Sequence, residues 1–310
     1  MLRKKLFGSA FIDEVELFEE SKKYKGVELT HTLLKKIENE QGLNQATVIL
    51  YEYLCEKHRT FIDSINSQQL KATHPSKQLK LLIVPGMFYK EYPEIGGDGL
   101  FVKTIAEKFN MEYELIDLNS RGSIFKSRDV IKEKILRERH SNVWIVSFSK
   151  GSIETRLCLE ELHGEKFPNN IKGWINISGP VTGTSLWDHK HKSFFSRAIW
   201  RVISKILGID HTLSREMSRN NLLLQKDFLL PPHLEVMHIV GVPLPSHLQP
   251  MTIKKYRRLA QFGPNDGIIT LSDFLGVSGN VYPLWGADHF LRLNHISALI
   301  YKILNYIITK

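Results

Sequence analysis

Cysteine is nearly absent: Cys55 and Cys158 are the only two in 310 residues. So far apart in sequence, they match neither a metal-ligand spacing nor the disulfide framework of a small secreted domain, and they suggest a reducing, cytoplasmic setting. Long apolar runs are missing too. No stretch approaches the roughly 20 residues that span a bilayer, and even the apolar C-terminal run Ile296–Ile308 is interrupted by Lys302. The opening Met1–Phe7 has the basic character of a signal-peptide start, but Asp13, Glu14 and Glu16 cut off any apolar continuation, so none is expected. Zinc-finger spacings, a ribonucleoprotein-type aromatic pair, long basic runs, internal repeats and low-complexity tracts are also lacking, and no nucleic-acid partner is expected.

What is present is a globular composition, with 42% hydrophobic and 24% charged residues, in a chain long enough to bury a full core. A net charge of +9 by itself admits nucleic acid, an anionic membrane or an acidic substrate without choosing among them, and a merely solvated basic surface fits equally well.

Apolar residues recur at helical spacing from Phe11 to about Ser67, Leu33, Leu34 and Ile37 among them. Polar residues from Gln68 to Gln78, with Pro75, break that period and set off residues 1–76 as an N-terminal helical extension from the domain at 77–310. Short apolar runs then alternate with helical stretches. Strands are predicted over Leu79–Pro85, Glu112–Leu118, Val143–Val146, Ile171–Ile177, Val236–Val240 and Asn280–Leu284. Helices are predicted over Leu100–Phe109, Asp129–Arg139, Gly151–Leu162 and Leu291–Ile308. The alternation implies an α/β fold with a mostly parallel central sheet flanked by helices. Residues of about 180–232 depart from it, being helical and basic, and read as a cap inserted between the fourth and fifth strands.

The strongest chemical signal is Val143-Trp144-Ile145-Val146-Ser147-Phe148-Ser149-Lys150-Gly151-Ser152, a strand entering a helix with a serine at the turn. A nucleophile elbow needs this context, since the turn lifts the hydroxyl above the strand ends and small residues on either side let strand and helix approach. The competing reading has Ser149 as a helix cap and Gly151 as a packing glycine. With Ser147 in place of the first glycine of G-x-S-x-G, the stretch resembles the α/β-hydrolase family, in its lipase-like or esterase branch.

That resemblance assigns further roles. A serine hydroxyl is a weak nucleophile until a base takes its proton. His289, in Leu284-Trp285-Gly286-Ala287-Asp288-His289-Phe290, lies between the last strand and the last helix, where the family carries its base. Other histidines, such as His31, His58 and His163, read as surface residues of helices. The acid falls between nucleophile and base in chain order, and Asn265-Asp266-Gly267-Ile268-Ile269 resembles the family's aspartate loop, making Asp266 the choice over Asp288 and Asp188. Asn-Asp-Gly also suits a plain turn. The oxyanion donors would be the backbone amides of Lys150 and of Met87, with Phe88 the alternate, in the loop Val84-Pro85-Gly86-Met87-Phe88.

The resemblance thus implies a serine hydrolase that cleaves a carboxylic ester through Ser149, Asp266 and His289, with no metal or organic cofactor. A thioesterase or acyltransferase would use the same triad. A non-catalytic binding protein on this fold is the third reading. Phe88, Trp187 and Trp200 are the expected substrate-binding residues for a small-molecule or lipid-like acyl chain. In Ser193–Leu207 the basic residues Arg197, Arg201 and Lys205 form one stripe, and Phe194, Ile199, Trp200, Val202, Ile203 and Leu207 crowd the rest. This helix is expected to line an acyl pocket, and it allows peripheral membrane contact.

Overall fold

Among the described residues six strands make one sheet: β1 (Lys80–Val84), β2 (Glu112–Leu115), β3 (Val143–Phe148), β4 (Ile171–Ile177), β5 (Glu235–Val242) and β6 (Asn280–Trp285). In the computed structural model, which describes residues 13–70, 79–165, 167–191, 193–226 and 229–310, all six pair in parallel in the order β2-β1-β3-β4-β5-β6. The basic opening Met1–Phe7 and most of the expected boundary, residues 71–78, lie outside the described residues. β1 and β3 are buried along their whole length, which is why, apart from Lys80 and Ser147, they read as apolar runs, whereas β2, at one edge, is partly exposed.

Among the described residues four α-helices precede the sheet: α1 (Glu14–Ser21), α2 (His31–Gln41), α3 (Leu43–Lys57) and α4 (Arg59–Asn66). Between strands lie α5 (Leu100–Lys108), α6 (Ile124–Arg137) and α7 (Lys150–Gly164). Then come α8 (Phe194–Ile206), α9 (Leu213–Glu216) and α10 (Pro250–Leu259), and α11 (Ile296–Ile308) closes the chain. Two of these start elsewhere than the periodicity predicts. α6 begins at Ile124 because the Ser123 hydroxyl caps it, accepting from the Phe125 N–H at 3.2 Å. α11 begins only at Ile296, since Leu291 turns out of helical geometry at φ 48°.

Successive strand residues point to opposite faces. Leu81 and Ile83 pack with α4, α5 and α11, while Leu82 and Val84 pack with α6 and α7. Beside α6 and α7, over the β5–β6 end of that second face, Val240, Val242 and Val281 meet Leu34 and Ile37 of α2 and Ile49, Leu50 and Leu54 of α3. One histidine departs from expectation there. His58, at the α3–α4 junction, is buried at 8% exposure rather than lying on the surface, because α3 and α4 both pack against β6; His31 and His163 are exposed.

Because β2 and β3 lie on opposite sides of β1, the chain leaves the carboxyl ends of β1 and β3 in opposite directions. A crevice opens at such a switch point. The loops after β1 and β3 carry Met87 and Ser149 into it.

Candidate active site

Ser149 joins β3 to α7 at φ 46°, ψ −117°. A non-glycine residue there costs about 1–3 kcal/mol and persists only when its surroundings hold it. They do: the Ser149 N–H donates to the Ile177 carbonyl at 3.2 Å, and its own carbonyl accepts from the Ser152 N–H at 3.0 Å. A Cβ on Gly151 would stand 2.5 Å from the Pro85 carbonyl oxygen, so only glycine lets α7 approach the end of β1 this closely. The Ser149 hydroxyl makes no helix-capping bond. It lies 3.0 Å from His289 Nε2 instead.

His289 is held from two sides. Its backbone N–H donates to the Asp266 carbonyl at 3.0 Å, and its Nδ1 lies 2.8 Å from Asp266 Oδ2. Asp266 is fully buried, and its Oδ1 accepts from the N–H groups of Ile268 and Ile269, both at 2.8 Å. With both oxygens engaged, its carboxylate is fixed toward the imidazole. Asp288, next in chain to the histidine, faces elsewhere: it accepts from the Gln249 N–H at 3.1 Å, the Thr252 hydroxyl at 2.7 Å and the Phe290 N–H at 3.1 Å. Asp188 accepts from the Ser218 hydroxyl at 2.5 Å, within the cap. A Cβ on Gly241 of β5 would meet the Ala287 carbonyl at 2.4 Å, so a glycine there lets the histidine loop lie across the strand.

Ser149 and His289 open into a pocket of about 590 Å³, also lined by Met87, Phe88, Lys150, Trp187 and Trp200. Every residue expected at the site therefore lies at this pocket except Asp266, which stands behind His289. Among the described residues, the backbone N–H groups of Met87, Phe88 and Lys150 have no protein acceptor. Lys150 is buried, and its ammonium is ion-paired with buried Glu154; burial raises the pKa of that acid while Lys150 draws it down. Trp187 and Trp200 meet edge to face, with centroids 5.3 Å apart. Phe148, Met251, Lys255 and Arg258 also line the pocket but carry no motif that reveals it. Among the described residues no group of three or more His, Cys, Asp or Glu side chains could hold a metal ion.

The segment between β4 and β5 is anchored from beneath. Buried Arg156 of α7 donates to the carbonyls of Val181, Leu224 and Lys226, and Asp273 accepts from Arg219 at 2.7 Å and from Thr182 at 2.6 Å. Glu216 receives the Ile124 N–H at 2.8 Å and the Ser123 hydroxyl at 3.0 Å. Within α8, Trp200 is 3% exposed, its indole N–H donating to the His211 carbonyl at 3.0 Å, and Trp200, Ile203 and Leu207 line the pocket. Phe194, Ile199 and Val202 do not. With Phe195 and Ile206 they face outward, at 59–78% exposure, because Trp200 and Ser204 take the inward side of the helix.

Parallel strands in this order, a strained serine between a strand and a helix, and a histidine after the last strand together describe one architecture. The chain has the α/β-hydrolase fold. Solved structures of that fold include a metagenomic carboxyl esterase, 15% identical over 83% of this chain and 89% of its own, with a TM-score of 0.62. The mature form of a Bacillus licheniformis lipase is 18% identical over 76% of this chain and 95% of its own, with a TM-score of 0.57. The sequence itself matches no protein-family model and no curated protein.

Proposed function

We propose that this protein is a serine hydrolase that cleaves carboxylic esters. The carrying observation is the hydrogen-bonded line from Ser149 Oγ through His289 Nε2, 3.0 Å away, to Asp266 Oδ2, 2.8 Å from Nδ1. Ser149 Oγ attacks the ester carbonyl carbon while Nε2 takes the hydroxyl proton, and Asp266 holds the imidazole in the required tautomer and stabilises its cation. The oxyanion that forms accepts from the N–H groups of Met87 and Lys150, donors with no other acceptor to give up. Collapse of the tetrahedral intermediate breaks the bond to the alcohol oxygen, which receives the proton from Nε2. Water then repeats the sequence on the acyl-enzyme.

That a carboxyl esterase and a lipase are among the structural neighbours supports an ester substrate. Residues 77–310 would form the hydrolase domain, 1–76 its helical extension and about 180–232 its cap. The free thiols Cys55 and Cys158 suit a cytoplasmic setting. No helix among the described residues is long and apolar enough to cross a membrane. Peripheral contact is a different matter: the outward apolar face of α8 is flanked by exposed Arg197, Arg201 and Lys205, none of them ion-paired among the described residues, and it suits an anionic lipid surface. A fluorophosphonate probe tests the central reading. Wild-type protein should be labelled and turn over an oxyester panel, and Ser149→Ala should do neither; preferential turnover of a parallel thioester panel would redirect the reading to a thioesterase.

A further inference from the structure

Met251, Lys255 and Arg258 stand at i, i+4 and i+7 of α10, so they share one face, and all three line the pocket that holds Ser149 and His289. An apolar acyl chain alone would be served by an apolar face. Lys255 is half-buried, and among the described residues it has neither hydrogen bond nor ion pair. Its pKa is lowered by burial, with Asp288 and Asp266 pulling the other way. Those two acids are already engaged, Asp266 by His289 and two backbone amides, Asp288 by Gln249, Thr252 and Phe290.

The other charges at the pocket do not neutralise this ammonium. Lys150 is ion-paired with Glu154, and Glu94, exposed on the 3-10 turn Pro93–Ile95, forms no ion pair with Lys255 among the described residues. The remaining wall is mostly apolar, including Phe101, Phe148, Trp187, Trp200 and Ile203, with Ser178 and the Ser149–His289 pair as polar exceptions. A cation drawn partway into an apolar pocket is costly unless an anion meets it there.

We propose that Lys255, supported by Arg258 at the exposed end of the same face, receives an anionic group of the substrate, a carboxylate or a phosphate. The preferred ester is then an anionic amphiphile whose apolar chain lies along the tryptophan wall. This rests on the ester-hydrolase reading and adds a substrate class to it.

Three kinds of ester of matched chain length test the proposal: a neutral acyl ester, one with a terminal carboxylate on the acyl chain, and an acyl glycerol phosphate. Wild-type protein should favour an anionic ester over the neutral one by about tenfold in KM, and the favoured arm identifies which side of the scissile bond carries the charge. Lys255→Met should erase most of that ratio and Lys255→Arg should restore it. Equal KM values for all three esters in the wild type, or a preference kept by Lys255→Met with Arg258→Met, would overturn the proposal. If the fluorophosphonate fails to label Ser149, the ester reading fails by itself. Calorimetric binding of decanoate then decides the anion site: about tenfold weaker binding to Lys255→Met supports it, and equal binding overturns it.

Discussion

α3 and α8 are helices of similar length, 15 and 13 residues, each packed outside the sheet, and they spend their apolar side chains in opposite directions. α3 buries Ala46, Val48, Ile49, Leu50 and Leu54 and turns mainly polar side chains outward. α8 buries only Trp200 and Ser204 and holds Phe194, Phe195, Ile199, Val202 and Ile206 in solvent. The sheet explains α3, because β5 and β6 need a cover on that face. Nothing among the described residues covers the outer side of α8, and the segment between β4 and β5 that carries it is already held from below through Arg156, Asp273 and Glu216. A helix that stabilises and a helix that meets something else should respond differently to the same kind of substitution.

The sharpest separation is expected at the Ser149–His289 site. Ser149→Ala and His289→Ala should each cut turnover by several orders of magnitude, and the double variant should lose little more, because the two act as one unit. Thermal unfolding should barely fall in either. Additive losses would mean the wrong pair has been joined. Asp266→Asn should also cost orders of magnitude in kcat, with Asp288→Asn milder, and the reverse ranking would hand the acid's role to Asp288.

Stability is where α3 should answer. Leu54→Ala, at a fully buried position, is expected to cost about 2–5 kcal/mol in denaturant unfolding. A loss under about 1 kcal/mol would show that α3 is dispensable to the core. Acid should attack the same side. Fully buried His238 accepts from Asn176 and donates to the Ser278 carbonyl, each at 2.9 Å, and burial lowers its pKa from 6.5 to about 4. Between those values the unfolded chain binds a proton that the folded one refuses. Stability is therefore fully present above about 6.5, declines as pH falls, and levels off below about 4. His238→Gln should flatten that part of a melting-temperature profile, and an unchanged slope would assign the acid sensitivity to other groups.

The smallest change in stability, and the largest in binding, belongs to α8. Val202→Ser with Ile206→Ser should alter unfolding by no more than about 0.5 kcal/mol while weakening sedimentation with anionic vesicles. Gln at Arg197, Arg201 and Lys205 should remove the preference for anionic over neutral vesicles. Wild-type protein that ignores both vesicle types would leave the outer face without its lipid partner.

Much of this architecture was legible beforehand. Apolar runs such as Leu81–Val84 and Val143–Val146 mark buried parallel strands because both of their faces are covered. The turns that hold Ser149, Asp266 and His289 could be placed because their neighbours are constrained. What escaped was orientation. The periodicity of α8 separates a basic stripe from apolar positions, but it cannot say that Trp200 points inward and Val202 outward, since that depends on where the cap is anchored. Lys255 escaped for a similar reason: in Lys-Lys-Tyr-Arg-Arg, four cations in five residues look like a solvated helix until the pocket is built against one of its faces. His58 read as exposed because a histidine at a helix end carries no mark of what folds over it.

Ser147 shows how a departure from a family pattern can become irreversible. The position is fully buried, and its hydroxyl accepts from the Trp174 indole N–H at 2.7 Å and shares a 2.9 Å hydrogen bond with Ser152. Restoring the glycine of G-x-S-x-G would look like a repair. It would instead remove a polar partner from two buried groups, at a cost of about 1–3 kcal/mol each where no other partner replaces it. Directed evolution from this chain should therefore reach glycine at 147 only after Trp174 or Ser152 has changed, so that the order of mutations, and not only their sum, decides which elbows are accessible.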